Sequence, residues 1–200
     1  MIVRLNGTHG SGKSTTVTKL MKLYGATPSY ADGDAKFKRP IGYKVELPTG
    51  MLWVVGPYEI ACGGCDSIQP FANIWPRVMM GVQNNWHVLF EGALLSTVYG
   101  SVGREMELLD AAQVSWAFMD TPLAMCQARV NERRATRGAG PLTDFKNVDS
   151  KWYTVNRLKD KLAAGSIGSI GAHRTVWIDH KQPVKTVLKE FGVTIRKEPS

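Results

Sequence analysis

Cysteine is scarce in this chain of 200 residues: it has three, and three thiols cannot all pair in disulfide bonds. Cys62 and Cys65 have the spacing of half a zinc site, but no second cysteine pair follows and the four histidines are scattered. The sequence therefore argues against a disulfide framework. It favours a tight loop with reduced thiols at 62–65 over a structural metal.

Long apolar runs and internal repeats are also missing. No segment reaches the roughly 18 uncharged apolar residues that a transmembrane helix requires. A strand pattern begins at Ile2, so we expect no signal peptide before it. Because no linker or low-complexity tract divides the chain, we expect one domain over residues 1–200, located in the cytoplasm.

Acidic residues are outnumbered by basic ones, with 17 Asp and Glu against 25 Lys and Arg and a formal net charge of +8. Enzymes that hold phosphate groups often have basic clefts, but this excess is larger than a small nucleotide requires. It favours a polyanionic ligand such as DNA.

A glycine-rich segment at residues 7–14 matches the phosphate-binding motif G-x-x-x-x-G-K-[ST] at every fixed position. A buried strand pattern at 2–5 precedes it and helical spacing over 15–24 follows, as such a loop requires. We expect Lys13 to reach the β- and γ-phosphates and the Ser14 hydroxyl to hold Mg²⁺. The predicted ATP-binding residues of this segment are Gly7, Thr8, His9, Gly10, Ser11, Gly12, Lys13, Ser14 and Thr15.

Strand patterns alternate with helical patterns along the rest of the chain. The predicted strands are 2–5, 88–90, 114–119 and 175–178, with a short parallel one at 29–31 near an edge; the predicted helices are 15–24, 70–84, 102–112, 122–134, 148–163 and 183–191. This alternation predicts an α/β fold in three layers, with a mostly parallel sheet flanked by helices, as in P-loop NTPases and kinases.

One segment, 43–55, breaks the alternation. Two strand patterns flank Pro48-Thr49-Gly50, which predicts a β-hairpin insertion. The hairpin is either a platform for the phosphate acceptor or an edge ornament that extends the sheet. Cations interleaved with aromatic rings suit a nucleic acid. The predicted acceptor-binding residues are Lys36, Arg39, Trp53 and Tyr58.

Three carboxylates follow predicted strands: Asp32 and Asp34 after 29–31, and Glu91 after 88–90. Ligands bind at the carboxyl ends of strands in an open parallel sheet. We expect Asp34 to accept the proton of the acceptor hydroxyl, with Asp32 supporting it or holding Mg²⁺ through water. Glu91 is predicted to orient Mg²⁺ or its waters, or to be the base in place of Asp34.

Arginines cluster at the end of the predicted helix over 122–134, before a Gly-Ala-Gly-Pro break at 138–141. They are Arg129, Arg133, Arg134 and Arg137. This pattern predicts a lid over 122–141 that closes on ATP, with guanidinium groups neutralising the transferring phosphoryl group. Arg129 and Arg133 share a helix face and are predicted catalytic residues with Lys13. Lys181, in the loop after the last strand, is a predicted ATP-binding residue.

The chain resembles the P-loop kinases over nearly its whole length. The phosphate-binding motif and the lid arginines carry this resemblance. The Asp32-Gly33-Asp34 triplet is similar to that of adenylylsulfate kinases. Thymidylate kinases have an Asp-Arg pair where this chain has Asp32-Gly33. Deoxynucleoside kinases have Glu-Arg-Ser or Asp-Arg-Ser where it has Glu91-Gly92-Ala93. These departures argue against a standard dTMP or deoxynucleoside acceptor.

The overall layout most resembles the bacteriophage kinases of thymine hypermodification, which phosphorylate 5-hydroxymethyluracil bases within DNA. The resemblance implies ATP and Mg²⁺, a double-stranded DNA acceptor whose base is flipped out to reach Asp34, and the cytoplasm of an infected host cell. Two alternatives stay open: a kinase of a free deoxynucleoside or its monophosphate, and an ATPase switch or motor subunit.

Overall fold

A computed structural model describes residues 1–31, 39–59, 63–97, 99–167 and 174–195 of the chain. Their strands are β1 (Ile2–Asn6), β2 (Thr27–Ser29), β3 (Gly42–Leu47), β4 (Gly50–Val55), β5 (His87–Glu91), β6 (Val114–Met119) and β7 (Thr175–Ile178). Their α-helices are α1 (Lys13–Tyr24), α2 (Ile74–Gln83), α3 (Gly100–Glu107), α4 (Leu123–Ala135), α5 (Lys146–Ala163) and α6 (Pro183–Glu190).

The strands form one seven-stranded sheet in the order β2-β3-β4-β5-β1-β6-β7. Strands β4, β5, β1, β6 and β7 are parallel, whereas β3 pairs antiparallel with both β2 and β4. The predicted α/β fold with a mostly parallel sheet is thus confirmed. Because β1 lies between β5 and β6, the phosphate-binding loop emerges beside the carboxyl ends of two neighbouring strands.

Helices cover both faces of the sheet, which explains why all five residues of β1 are buried. On one face, side chains of α1 and α6 such as Leu20 and Leu188 pack with Val3. On the other face, side chains of α2 and α5 such as Val78 and Leu158 pack around Ile2 and its neighbours. No helix in the described residues is both long enough and apolar enough to cross a membrane.

The predicted parallel strand at 29–31 is wrong in its pairing and its bounds. Strand β2 ends at Ser29 and pairs antiparallel with β3, with Ser29 opposite Gly42. The β3–β4 hairpin is the cause. Strand β4 continues the parallel sheet, so β3 runs against it and β2, the next strand outward, has an antiparallel neighbour. The expected position at an edge of the sheet is confirmed.

The predicted hairpin forms, and it is part of the main sheet, because β4 pairs with β5 from Leu52 to Val54. Trp53 is 1% exposed, and its indole N–H donates to the carbonyl oxygen of Arg77 on α2 at 2.7 Å. The ring fills the core between sheet and helix. The prediction that Trp53 binds the acceptor is therefore wrong, since neither ring face is open to a base.

Two helices are shorter than predicted. Helix α2 starts at Ile74, because Phe71–Asn73 forms a 3₁₀ turn after Pro70. Helix α3 ends at Glu107, and a separate 3₁₀ turn covers Ala111–Gln113. The other predicted helices agree with the structure to within two residues at either end.

Candidate active site

Glycines with positive φ shape the phosphate-binding loop, and hydrogen bonds connect it to neighbouring segments of the chain. Gly10 and Gly12 have φ of 76° and 96°, a left-handed conformation that side chains disfavour. The Gly7 amide donates to Ser96 Oγ at 3.0 Å, and the Thr121 hydroxyl donates to the carbonyl oxygen of Ser11 at 2.8 Å. The loop is therefore positioned from β1, from the turn after β5 and from the start of α4.

Gly10 offers a test of this packing. A Cβ there would overlap the carbonyl oxygen of Cys126 on α4, whereas a Cβ at Gly138, with a φ of 70°, would meet no atom within 4 Å. We expect Gly10→Ala to lower the free energy of unfolding by about 3 kcal/mol or more, because left-handed strain and overlap add. Gly138→Ala, which has only the strain, should cost about 1 kcal/mol. Urea denaturation measures both, and equal losses would contradict the close approach of loop and α4.

Lys13 lies within the loop that it is predicted to serve. Its ammonium donates to the carbonyl oxygens of Gly7 at 2.8 Å and Thr8 at 3.1 Å, and the residue is 6% exposed. Burial lowers the pKa of Lys13, and the nearby carboxylate of Glu91 opposes this shift. A buried cation attracts an anion strongly, because little water screens its charge.

Ser14 and Glu91, the two predicted metal ligands in the described residues, are in direct contact. The Ser14 hydroxyl donates to Glu91 Oε1 at 2.7 Å. Glu91 is the last residue of β5, lies opposite Leu5 of β1 and is 2% exposed. Burial raises the pKa of Glu91, while Lys13 and the Ser14 hydrogen bond act in the opposite direction.

Asp66 is a cleft residue that the sequence patterns did not identify. Its carboxylate accepts the backbone N–H groups of Ala93 at 2.7 Å and Leu94 at 3.0 Å, in the turn after β5. It contributes to the electrostatic environment of both Lys13 and Glu91. In the sequence, Asp66 stands out only as an acidic residue directly after a glycine-rich segment. No motif spacing connects it with Ala93, which lies 27 residues further along the chain.

These groups surround a cleft of about 760 Å³. The predicted ATP-binding residues that line it are Thr8, His9, Gly10, Ser11, Gly12, Lys13, Ser14, Thr15, Arg129, Arg133 and Lys181, and Glu91 and Asp66 complete its acidic side. Gly7 lies at the base of the loop, where its carbonyl oxygen accepts from Lys13. The structure thus brings the loop, the end of β5, helix α4 and the loop after β7 around one cavity.

The lid arginines separate into two groups. Arg129 Nη1 donates to the carbonyl oxygen of Gly10 at 3.5 Å, and Arg133 lines the cleft from the same face of α4. Arg134 faces elsewhere: its Nε donates to the carbonyl oxygen of Gly140 at 2.8 Å. Arg134 does not line the cleft in this structure, and its contact with ATP stays a prediction.

The remaining predicted residues do not line the cleft or lie outside the described residues. Asp32, Asp34 and Lys36 fall outside the described ranges. Arg39 is exposed and does not line the cleft. Tyr58 is partly buried against Tyr43, with ring centroids 6.0 Å apart. Burial raises the pKa of the Tyr58 phenol, and the nearby Glu91 carboxylate acts in the same direction.

Comparison with known proteins gives two relatives. The chain is 33% identical over 179 residues to a protein of Pseudomonas phage PaMx11 named 5-hmdU DNA kinase, an alignment that covers 86% of this chain and 90% of the relative. It is also 33% identical over 105 residues to the 5-hmdU DNA kinase of Pseudomonas phage M6, which covers 52% of this chain and 51% of that one. No family model matches the chain. With a phosphate-binding loop, a buried lysine and a Ser14–Glu91 pair at the same cleft, and with this identity over most of its length, the chain belongs to the family of the phage 5-hmdU DNA kinases.

Proposed function

We propose that this chain, as one P-loop kinase domain, transfers the γ-phosphate of ATP to the hydroxyl of 5-hydroxymethyluracil bases in DNA. The observation that carries the proposal is the convergence of Lys13, the Ser14–Glu91 pair and Arg129 on one loop in a chain of this family. Phosphoryl transfer needs little covalent chemistry from the protein, so positioning and charge do most of the work.

The donor nucleotide has a defined place in this arrangement. Backbone amides of residues 7–14 and the start of α1 surround its phosphates, Lys13 stabilises charge on the β- and γ-phosphates, and Arg129 and Arg133 approach from α4. The loop that holds Lys181 borders the same cleft and is the proposed adenine side.

The Ser14 hydroxyl and the Glu91 carboxylate fit a magnesium ion, because both are hard oxygen donors that converge to 2.7 Å at the mouth of the loop. Bound Mg²⁺ would supply charge neutralisation on the β- and γ-phosphate oxygens. Asp32 is the proposed third contributor through water. The hydrogen bond between Ser14 and Glu91 fixes the relative position of these two oxygen donors.

The proton of the acceptor hydroxyl goes to a carboxylate. Since Glu91 already accepts from Ser14 and is 2% exposed, its position favours the metal-side role. We therefore propose Asp34 as the base, supported by Asp32, with Glu91 as the alternative. Lys36, Arg39 and Tyr58 are the proposed acceptor-side residues.

A base within duplex DNA must leave the stack before an enzyme can act on it in a cleft. The net charge of +8 favours the polyanionic acceptor over a free nucleoside. Affinity for DNA should then fall steeply with salt, whereas the affinity for a neutral nucleoside would change little.

The test is a transfer assay with γ-labelled ATP and four acceptors: duplex DNA containing 5-hydroxymethyluracil, the same duplex with thymine, the free deoxynucleoside and its monophosphate. We expect label only on the modified duplex, and less of it as salt rises. Label on the free nucleoside or its monophosphate alone would contradict a DNA acceptor and indicate a small-molecule acceptor instead. Phosphate release without a labelled product would indicate an ATPase.

A further inference from the structure

Helix α5 is fixed against the phosphate-binding loop near its N-terminal end. The Thr8 hydroxyl donates to the carbonyl oxygen of Val148 at 3.2 Å. The indole N–H of Trp152 donates to the carbonyl oxygen of Thr121 at 3.0 Å, and the Thr121 hydroxyl in turn donates to the carbonyl oxygen of Ser11. The residues around position 150 of α5 therefore have a set distance from the loop.

Lys151 lies between these two anchors and reaches the loop. Its ammonium nitrogen is 2.7 Å from Nε2 of His9. Burial lowers the pKa of His9 to about 4, and the charges of Lys151 and Lys13 act in the same direction, so the imidazole is neutral at neutral pH. A neutral ring that accepts from Lys151 at Nε2 has its proton on Nδ1. His9 lines the cleft, and in this tautomer its ring has one N–H donor, at Nδ1.

The ammonium of Lys151 has more hydrogen-bond donors than its contact with His9 uses. It has three N–H groups, of which one is directed at His9. Among the residues that the structure describes, no carboxylate forms an ion pair with it; the ion pairs there join other residues. A half-buried ammonium with two uncommitted N–H groups and no counter-ion in the described residues can donate to an anion that enters the cleft.

The surroundings of His9 have the same excess of positive charge. Lys151, Lys13 and Arg133 all act on its pKa as cations, and among the described residues the carboxylate of Asp66 acts in the opposite direction. The position of Lys13 relates this positive charge to the β- and γ-phosphates of a nucleotide. Its ammonium, which in such loops reaches the β- and γ-phosphates, sits at the carbonyl oxygens of Gly7 and Thr8, immediately before His9.

We propose that Lys151 and His9 form a second phosphate-binding pair, whose ammonium and Nδ1–H donate to the terminal phosphate of the bound nucleoside triphosphate. This inference rests on the proposed function, since it assumes that the loop binds a nucleotide. It adds a contact from α5 to those of the loop and of the α4 arginines, and it makes the pair a sensor that separates a triphosphate from a diphosphate.

The test compares Lys151→Gln with a matched control, Lys161→Gln, which removes the same charge from an exposed position of α5 about 15 Å along the helix. Calorimetry measures the affinity of each protein for ADP and for a non-hydrolysable ATP analogue, with Mg²⁺. We expect Lys151→Gln to weaken binding of the analogue by about 10- to 100-fold and binding of ADP by less than about threefold, because only the analogue has a γ-phosphate to accept the hydrogen bonds that the variant loses. Lys161→Gln should change neither.

A second substitution, His9→Gln, should give the same selective loss, and Lys151→Arg should retain most of the affinity for the analogue. Equal losses for both nucleotides, or no loss for the analogue, would overturn the pair. If the unsubstituted protein bound neither nucleotide, the proposed function would fall instead. Thermal unfolding of each variant without nucleotide separates a loss of fold from a loss of binding.

Discussion

Replacing Lys13 with methionine is expected to reduce the rate of phosphoryl transfer by about 10³-fold, with the fold intact. The ammonium is the only cation of the described residues that donates to two carbonyl oxygens of the loop, and it is 6% exposed, so water cannot replace its charge in the transition state. Methionine has a similar length and leaves no large cavity. The variant loses two hydrogen bonds but also removes a buried charge, so the free energy of unfolding should change by no more than about 1 kcal/mol.

The matched control is Lys22→Met, an exposed lysine in the last turn of the same helix, α1. It should retain full activity. Single-turnover rates with γ-labelled ATP and modified DNA give the activity, and urea denaturation gives the stability. A Lys13→Met protein that transferred phosphate at the normal rate would remove the loop from the mechanism. One that unfolded would instead show that the loop needs this ammonium for its conformation.

Replacing Glu91 with glutamine is expected to raise the Mg²⁺ concentration for half-maximal activity by at least about tenfold and to lower the maximal rate by about 10²-fold. The amide keeps the size of the side chain and can still accept from Ser14, so the loss is of charge alone. A carboxylate that orients a metal ion or its waters contributes mainly through that charge.

The same experiment separates the two roles considered for Glu91. If Glu91 were the base, its glutamine variant would lose its rate at every Mg²⁺ concentration, with the half-maximal concentration unchanged. Glu46→Gln, an exposed change of the same kind on β3, is the control and should alter neither quantity. Asp34→Asn is the companion measurement: as the proposed base, it should lower the maximal rate and leave the Mg²⁺ requirement unchanged.

The local patterns were most informative where one signal was strong over a short range. The six-residue strand β6 and the four-residue strand β7 have the predicted bounds, because each is a continuous apolar run between breaks. The motif at 7–14 was equally clear, because it fixes the spacing of its glycines, Lys13 and Ser14. The hairpin was evident from its turn residues.

The local sequence patterns were least informative where the residues that pack or pair with a segment are distant in the sequence. Strand β2 looked like any short parallel strand, and only the insertion of β3 beside it made its pairing antiparallel. Trp53 next to basic residues suggested base stacking, yet the contact of β4 with α2 buries it. Arg134 differs from Arg133 by one helical position, which is about 100° around α4 and turns it towards Gly140.

Sequence alone determined that this chain has a complete phosphate-binding motif between a buried strand and a helix, because the motif depends on residues within eight positions of one another. Tertiary structure alone decided which contacts the side chains around the cleft make: Glu91 with Ser14, Asp66 with the turn after β5, and Lys151 with His9. Those contacts join residues 27 to 142 positions apart, and their distances follow from strand order and helix packing. No local spacing encodes them, since a one-residue change of register or helix rotation would have brought other side chains to the same cleft.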